Sequence, residues 1–308
     1  MTACLSQLRR GAIILAGLVL AACQSVPLAP RQQPVETAPP AEPVQPPKIA
    51  QPPRVGLALG GGAARGFAHI GVIQVLEENG IKVDLVAGTS AGSLVAALYA
   101  SGKSGREMAQ IAETMDEGAI TDWAFPLRGL IRGEALARFV REKVDGKLIE
   151  QMRMPLGIVA TDLSSGAGVM FRSGDAGTAV RASSSVPTVF QPVRITGRDY
   201  VDGGLVAPVP VRYVRQMGAE MIIAVDISSP PKDQPSTDAL HMLLQTVAIM
   251  GRSINSFELR DADVVIRPLL DGVGSADFGA RLKSIAAGRE AALAALPQIR
   301  QRIAGKTR

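Results

Sequence analysis

Residues 86–94 read Val-Ala-Gly-Thr-Ser-Ala-Gly-Ser-Leu, an apolar run that ends in a G-x-S-x-G motif and continues into a helix-compatible stretch. A strand that reverses into a helix within a few residues requires unusual backbone angles. Gly88 and Gly92 lack the Cβ atoms that would collide in such a turn. Ser90 would then lie at the apex, at a helix N-terminus whose N–H groups favour a developing oxyanion. Taken alone, the motif also fits an ordinary glycine-rich strand-to-helix turn.

A second glycine-bearing turn lies upstream. Residues 54–59 predict a short strand, residues 60–66 read Gly-Gly-Gly-Ala-Ala-Arg-Gly, and residues 67–78 have helical spacing of apolar side chains. Three consecutive glycines allow the backbone to approach a reacting group closely and direct N–H donors at it, as an oxyanion hole requires.

A phosphate-binding loop is the competing interpretation of this turn. A Walker loop would close with Gly-Lys-Ser/Thr, whereas this one closes with Arg65, Gly66 and Phe67. A dinucleotide fingerprint would place an acidic residue at the end of the next strand, where Gly88 and Thr89 stand instead. Both nucleotide-binding interpretations are therefore disfavoured.

A third motif, Tyr-Val-Asp-Gly-Gly, stands at residues 200–204. The glycine loop, G-x-S-x-G and D-G-G in this order resemble the patatin-like phospholipases, a family related to the catalytic domain of neuropathy target esterase. The resemblance covers about residues 54–268. It implies an α/β protein, specifically a three-layer α/β/α serine hydrolase fold with a mostly parallel central sheet.

The resemblance also implies the site residues. It assigns a Ser-Asp dyad, with Ser90 as the nucleophile and Asp202 as the general base. The donors of the oxyanion hole map to the glycine loop, that is, to Gly61, Gly62, Ala63, Ala64, Arg65 and Gly66. The other two motifs contribute the glycines Gly88, Gly92, Gly203 and Gly204. The family pattern has glycine where this chain has Ala63, so the loop is strained if that residue adopts a positive φ. Without the upstream motifs, Asp202 would be read as part of an Asp-Gly turn between strands.

The histidine count favours a dyad independently of the family. A Ser-His-Asp triad needs an imidazole within reach of the serine. The chain has only His69, in the helix after the glycine loop, and His241, in a late helical stretch. Both are expected to be packed or partly exposed helical residues. A carboxylate acting alone needs a dry site, where burial raises its affinity for the proton.

The N-terminus has the pattern of a secretory signal. Two arginines precede an uncharged apolar run that is too short to span a bilayer comfortably and that ends in Leu-Ala-Ala-Cys at residues 20–23. This ending resembles the bacterial lipobox, which predicts a signal peptide over residues 1–22 and lipidation of Cys23. Gln24 at the next position favours the outer membrane, facing the periplasm, with the cell surface as the alternative.

Residues 23–53 are rich in proline and predict a disordered, extended tether between the lipidated cysteine and a domain over residues 54–308. The remaining length is enough for one large α/β domain, and no second domain is expected. Its further apolar runs predict buried strands, at residues 156–160, 169–171, 221–225 and 264–266. Asp162 and Arg181 are interpreted as polar supports around the site or as purely structural groups.

Composition narrows the classes of partner. The formal net charge of +5 falls to +3 when the two arginines of the signal are removed, too mild a balance to indicate nucleic acid. Aromatic residues make up 4% of the chain and offer no stacking platform for single strands. No cluster with metal-ligand spacing is seen, so neither a metal nor another cofactor is expected. Protein partners cannot be inferred.

These observations predict a lipid-anchored serine acyl hydrolase that acts on phospholipid or lysophospholipid esters. Two alternatives stay open: a catalytically silent lipid-binding or scaffolding lipoprotein on the same fold, and an acyltransferase, although no His-x-x-x-x-Asp motif is present. Residues 120–132 gather the only tryptophan of the chain with other apolar residues around a proline and a glycine. This segment is interpreted as a plug of the domain's own core or, alternatively, as a flap that rests on lipid.

Overall fold

One eight-stranded β-sheet organises the part of the chain that the structure, a computed structural model, describes: residues 51–115, 131–228, 239–274 and 276–308. The strands are β1 (Val55–Leu59), β2 (Leu85–Thr89), β3 (Leu156–Asp162), β4 (Gly168–Phe171), β5 (Val193–Ile195), β6 (Arg198–Asp202), β7 (Met221–Val225) and β8 (Val264–Ile266). The helices are α1 (Phe67–Glu78), α2 (Ala91–Ser101), α3 (Gly105–Thr114), α4 (Glu134–Lys143), α5 (Ala176–Ser183), α6 (Val211–Gln216), α7 (Ala239–Glu258) and α8 (Arg281–Lys306).

The sheet runs in the order β5-β6-β3-β2-β1-β7-β8, with β4 paired to β3 beside this path. The five strands from β3 to β8 in this order are parallel, whereas β4, β5 and β6 pair antiparallel. Chain order reverses at β1, since β2 and β3 lie on one side of it and β7 and β8 on the other. Ligands of parallel α/β sheets bind outside the carboxyl ends of the strands near such a reversal.

Both faces of the sheet are buried. Leu57 and Leu59 of β1 belong to a large core that includes apolar side chains of α1, α2 and α8. Ala58, between them, belongs to a second core with Val211 and Val214 of α6. Because side chains alternate along a strand, these two cores lie on opposite faces. The fold is therefore α/β with a mostly parallel central sheet covered on both sides, as the sequence predicted.

Most of the expected elements occur where they were predicted. The strands at residues 221–225 and 264–266 and the helix at residues 67–78 have the predicted bounds. The prediction of a buried strand at residues 169–171 was wrong in one respect: the strand, β4, is present, but its residues are half-buried. Its position explains this, since β4 has only β3 as a neighbour and therefore lacks cover along its other edge.

Several predictions fall outside the described residues. These are the signal peptide, Cys23, the tether up to residue 50, and residues 120–130 of the aromatic segment. In the described ranges, no helix combines the length and the hydropathy needed to cross a bilayer.

Candidate active site

The turn after β2 is strained at the serine that the sequence analysis predicts as the nucleophile. Ser90 has φ 52° and ψ −126°, a conformation that costs a non-glycine residue about 1–3 kcal/mol. A Cβ at Gly88 would lie 2.3 Å from the carbonyl oxygen of Gly92, and a Cβ at Gly92 would lie 2.2 Å from that of Leu59. Both positions therefore accept only glycine. The half-buried Ser90 caps the N-terminus of α2, where the helix dipole favours negative charge.

The glycine loop after β1 lies directly beside the elbow. A Cβ at Gly61 would lie 3.2 Å from the Cβ of Ser90, and a Cβ at Gly66 would lie 2.8 Å from that of Ala91. Ala63 has φ 51°, so the strain expected from an alanine at this position is present. The loop thus presents its backbone to the serine, as an oxyanion hole requires.

Hydrogen bonds narrow the choice of oxyanion donors. The amide of Gly61 donates to the carbonyl of Pro208 at 2.9 Å, and the amide of Arg65 donates to the carbonyl of Gly62 at 3.2 Å. Both N–H groups are engaged, which argues against their assignment as donors. The amides of Gly62, Ala63 and Ala64 make no such bond within the described residues, since they precede or begin the short 3-10 helix Ala63–Gly66.

Sheet register brings Asp202 to the level of the serine. Thr89 pairs with Val159 in β3, and the next residue of β3, Ala160, pairs with Asp202 of β6. The elbow and the carboxylate therefore flank β3 at the same end of the sheet. A Cβ at Gly203 would lie 2.2 Å from the carbonyl oxygen of Val159, so glycine lets the chain turn closely over this strand.

Asp202, the predicted base, lies in a buried environment that raises the pKa of its carboxyl group. Its side chain is buried, with 6% of the residue exposed, and burial raises its pKa to about 6. The Gly204 amide, which donates to Oδ1 at 2.6 Å, and the Ser90 hydroxyl favour the charged form and limit this rise in pKa. Oδ2 makes no hydrogen bond of regular geometry in the described structure, so it is the oxygen open to accept a proton from Ser90.

Two serines that the sequence analysis did not single out accept hydrogen bonds from the backbone amides of Ser90 and Asp202. The Ser183 hydroxyl accepts the Ser90 amide at 2.9 Å and donates to the carbonyl of Val159 at 2.5 Å. The carbonyl of Ser185 accepts the amide of Asp202 at 2.9 Å. Both lie in the Ser-Ser-Ser run at residues 183–185. The sequence of this run does not reveal which of its hydroxyls contacts the turn at Ser90.

His69 is a structural residue rather than a base. It is fully buried, its Nε2 lies 2.8 Å from the Gly60 carbonyl oxygen, and burial lowers its pKa to about 4. The ring is therefore neutral at pH 7, and because a carbonyl only accepts, Nε2 carries the proton that it donates. His69 thus anchors the first glycine of the loop. The side chain of His241 lies outside the described residues.

Asp162 and Arg181 serve structure near the site. Asp162 accepts the amides of Ser164 and Ser165 and pairs with Arg198 at 2.5 Å, and these contacts lower its pKa to about 2. Arg181 donates to the carbonyl of Arg132 at 2.8 Å and pairs with Glu134. Neither contact reaches the dyad. Among the described residues no group of three His, Cys, Asp or Glu side chains could hold a metal ion.

The sequence is similar to those of known proteins. Residues 57–215, just over half the chain, match the family model described as patatin-like phospholipase. An uncharacterised NTE family protein of Mycobacterium tuberculosis is 38% identical over 189 residues, which cover 60% of this chain and 52% of that protein. Patatin-like phospholipase domain-containing protein 6 of Homo sapiens is 35% identical over 191 residues, which cover 59% of this chain and 14% of that protein.

A solved structure shares the fold. VipD from Legionella pneumophila superposes with a TM-score of 0.55 at 15% identity and covers 80% of this chain and 67% of that chain. At this identity the likeness concerns the fold alone. The chain spans about half the length of the mycobacterial relatives and a far smaller part of the human one.

Proposed function

Because the chain belongs to the patatin-like phospholipase family, a family of lipid hydrolases, we propose that it is a serine acyl hydrolase that cleaves phospholipid or lysophospholipid esters. The observation that carries the proposal is a buried carboxylate of raised pKa, Asp202, beside a serine on a strained elbow, Ser90. A structural turn would need neither the strain nor the buried charge.

The arrangement supports a two-step mechanism. Oδ2 of Asp202 accepts the hydroxyl proton as Ser90 Oγ attacks the ester carbonyl, and amides of Gly62, Ala63 and Ala64 stabilise the oxyanion. The proton passes to the leaving alkoxide as the ester bond breaks. Asp202 then takes a proton from water, which attacks the acyl-enzyme and releases the fatty acid, and the proton returns to Ser90 Oγ.

A serine-directed fluorophosphonate tests this proposal together with mass spectrometry of the products from mixed phospholipid vesicles. Wild-type protein should bind the probe at Ser90 and release fatty acid. Ser90→Ala should lose both activities, and Asp202→Asn should lose orders of magnitude of each while remaining folded, since nucleophile and base act as one unit. Fatty acid release by folded Ser90→Ala protein would contradict the dyad.

The same assay, extended by a vesicle-binding measurement and an added alcohol, separates the alternatives. A catalytically silent scaffold would bind vesicles but neither label nor turn over. An acyltransferase would pass the acyl group to an added alcohol in preference to water. The paired Ser90 and Asp202 argue against a catalytically silent scaffold. Hydrolysis and acyl transfer share the acyl-enzyme, so the competition between water and the added alcohol decides between them.

We further propose that the enzyme is a lipoprotein held at the outer membrane through Cys23, on the support of the lipobox and the proline-rich tether alone. Cys23→Ser should block lipid transfer and leave a precursor that is not cleaved after Ala22, whereas an ordinary signal would still be processed. Incorporation of labelled palmitate into Cys23→Ser protein would refute lipidation at this position.

A further inference from the structure

A cleft of about 570 Å³ opens at the carboxyl ends of β7 and β8. Its walls come from the segments that follow these two strands, from the C-terminal turns of α7 and from one residue of the glycine loop, Arg65. Neither Ser90 nor Asp202 lines it. Sites for small molecules usually have volumes of about 300–1,000 Å³, so the cleft is large enough to hold a ligand of its own.

Strand order places the glycine loop between this cleft and Ser90. In the sheet, β2, β1, β7 and β8 lie side by side and run parallel. Ser90 follows β2 and the glycine loop follows β1, whereas Asp226 and Arg267 of the cleft follow β7 and β8. Neighbouring strands are about 4.8 Å apart, so the ends of β2 and β8 are separated by about 14 Å across the sheet. The cleft is therefore a separate site, on the far side of the glycine loop from Ser90.

Two buried side chains of the cleft each have a hydrogen-bond donor without a partner. Arg65 is 9% exposed and Asn255 is 3% exposed. The Oδ1 of Asn255 accepts the amide of Val209 at 3.1 Å, which identifies the other atom of this side-chain amide as the donor, Nδ2. In the described part of the chain neither this Nδ2 nor the Nη1 of Arg65 has a partner. Because unsatisfied buried donors destabilise a fold, a ligand that supplies acceptor oxygens at this wall would be stabilising.

The charge of the lining favours an anion. It includes four arginines and two aspartates, namely Arg65, Arg252, Arg260, Arg267, Asp226 and Asp271. Asp226 is already paired with Arg267, with 3.4 Å between Oδ2 and Nε, whereas Arg252 makes no ion pair within the described ranges. Burial lowers the pKa of Arg65 despite the attraction of Asp226, so the charge of this guanidinium is only partly compensated.

A phosphate group matches the number and the directions of these donors. Arg65 lines the cleft from the glycine loop, Arg252 and Asn255 line it from α7, and Arg267 lines it from the end of β8. A tetrahedral phosphate offers acceptor oxygens in several directions, whereas a carboxylate offers two in one plane. Guanidinium groups also bind phosphate through paired N–H donors. A phosphate monoester, which carries close to two negative charges at pH 7, therefore fits the lining better than a carboxylate.

Arg65 connects the cleft to the glycine loop. Its Nε and its backbone amide both donate to the carbonyl of Gly62 at 3.2 Å. This carbonyl belongs to the same planar trans peptide as the amide of Ala63, so the two groups point in opposite directions. The Ala63 amide is one of the candidate donors of the oxyanion hole. A ligand that holds the Arg65 guanidinium would therefore also fix the direction of this amide.

We propose that the cleft binds a phosphate monoester, held by Arg65, Asn255 and the arginines around them, and that the bound phosphate stabilises the glycine loop for catalysis. The monoester is either a soluble metabolite or the headgroup of an anionic lipid. Binding itself is independent of the hydrolase, whereas the effect on catalysis rests on the proposed function.

Titration calorimetry of purified full-length protein with glycerol 3-phosphate tests the binding. Asn255→Asp keeps the acceptor for the Val209 amide but replaces the free donor with a carboxylate oxygen, so it should weaken binding about tenfold or more. Arg252→Gln, at an exposed position, should weaken binding several-fold. Arg138→Gln is the matched control, because it removes the same charge from an exposed arginine of α4 outside the cleft. Absence of binding to wild-type protein, or equal affinity in wild type, Asn255→Asp and Arg252→Gln, would overturn the site.

The source of the phosphate is tested with dihexanoyl phosphatidic acid, a soluble lipid that carries the same phosphate monoester. Ser90→Ala protein is used for this comparison so that the lipid is not consumed. Tighter binding of the lipid than of glycerol 3-phosphate would identify a lipid headgroup, and tighter binding of glycerol 3-phosphate would identify a soluble ligand. Either result supports the site if Asn255→Asp weakens it in the same background, and binding that Asn255→Asp leaves unchanged would overturn the site.

The effect on catalysis is tested with p-nitrophenyl butyrate, an ester without phosphate. Saturating glycerol 3-phosphate should raise kcat/KM several-fold in wild type and in Arg138→Gln, and at the same concentration it should have little effect in Asn255→Asp. Competitive inhibition would place the phosphate at Ser90 and overturn the separate site. An unchanged kcat/KM with bound phosphate would overturn the coupling to the glycine loop. Failure to hydrolyse any ester would refute the hydrolase, and calorimetric binding that depends on Asn255 would still support the phosphate site.

Discussion

The hydroxyl of Ser183 accepts a hydrogen bond from the backbone amide of Ser90 at 2.9 Å and donates one to the carbonyl of Val159 at 2.5 Å. Ser183 is the last residue of α5 and is fully buried, so both bonds are shielded from water. The strained backbone of Ser90 is thereby linked to β3, the strand that also pairs with Asp202. One side chain thus fixes the position of Ser90 relative to Asp202, the two residues of the proposed dyad.

Removal of this tie should slow catalysis without removing it. Ser183→Ala leaves the Ser90 amide unsatisfied, a loss of about 1–3 kcal/mol, which is about five- to 150-fold in kcat if it acts on the transition state. KM should change little, because no substrate contact is lost. Ser185→Ala is the matched control, since within the described part of the chain the Ser185 hydroxyl bonds to the Arg181 carbonyl and not to Ser90. A wild-type kcat in Ser183→Ala would show that the elbow does not depend on this bond.

The pH dependence should follow the ionisation of Asp202. A base works only when deprotonated, and burial raises the pKa of Asp202 to about 6. Acyl hydrolysis, measured as kcat/KM between about pH 5 and 8, should therefore rise with pH through a limb near this value. His69, with a pKa of about 4, cannot supply that limb. A profile that is flat across this range would contradict the assignment of the base.

Neutralising the base should stabilise the fold at alkaline pH. The folded-state pKa of Asp202, about 6, lies above its ordinary value of 3.8. The charged carboxylate therefore destabilises the folded state. This destabilisation is fully present above about pH 6 and is absent below the unfolded pKa of 3.8. Asp202→Asn should accordingly raise Tm at pH 8 relative to wild type, and the difference should shrink as the pH falls toward about 4. A Tm lowered equally at both pH values would argue that the carboxylate is structural.

His69 should matter for stability rather than for chemistry. His69→Leu removes the donor to the Gly60 carbonyl and should cost about 1–3 kcal/mol of unfolding free energy in denaturant titrations. His69→Gln, which can restore a donor, should be milder and should keep the pH limb near 6. Because the pKa of His69 is lowered to about 4 from 6.5, its neutral form stabilises the fold fully above pH 6.5, and this contribution fades as the pH falls toward 4. A loss of turnover by orders of magnitude in folded His69→Gln would instead indicate a catalytic imidazole.

The sequence alone determined the features that depend on local backbone chemistry. Gly88 and Gly92 predicted the sharp turn at Ser90, because the backbone packs too closely there for any side chain. An added Cβ would lie 2.3 Å from a carbonyl oxygen at Gly88 and 2.2 Å from one at Gly92. The continuous apolar runs predicted β7 and β8 at their observed bounds, because strands buried on both faces need no alternation. The alanine at position 63, where the family pattern has glycine, indicated that the loop is strained if its φ is positive, and the structure has φ 51° there.

The tertiary structure alone decided which groups near Ser90 are free to act. The amide of Gly61 is engaged by the carbonyl of Pro208, and Ser183 reaches the elbow from α5, contacts between residues far apart in the chain. The raised pKa of Asp202 likewise arises from burial by distant elements and not from its Asp-Gly-Gly sequence. Hydrogen-bond engagement and desolvation depend on what surrounds a group in space, and neighbours in sequence do not specify that.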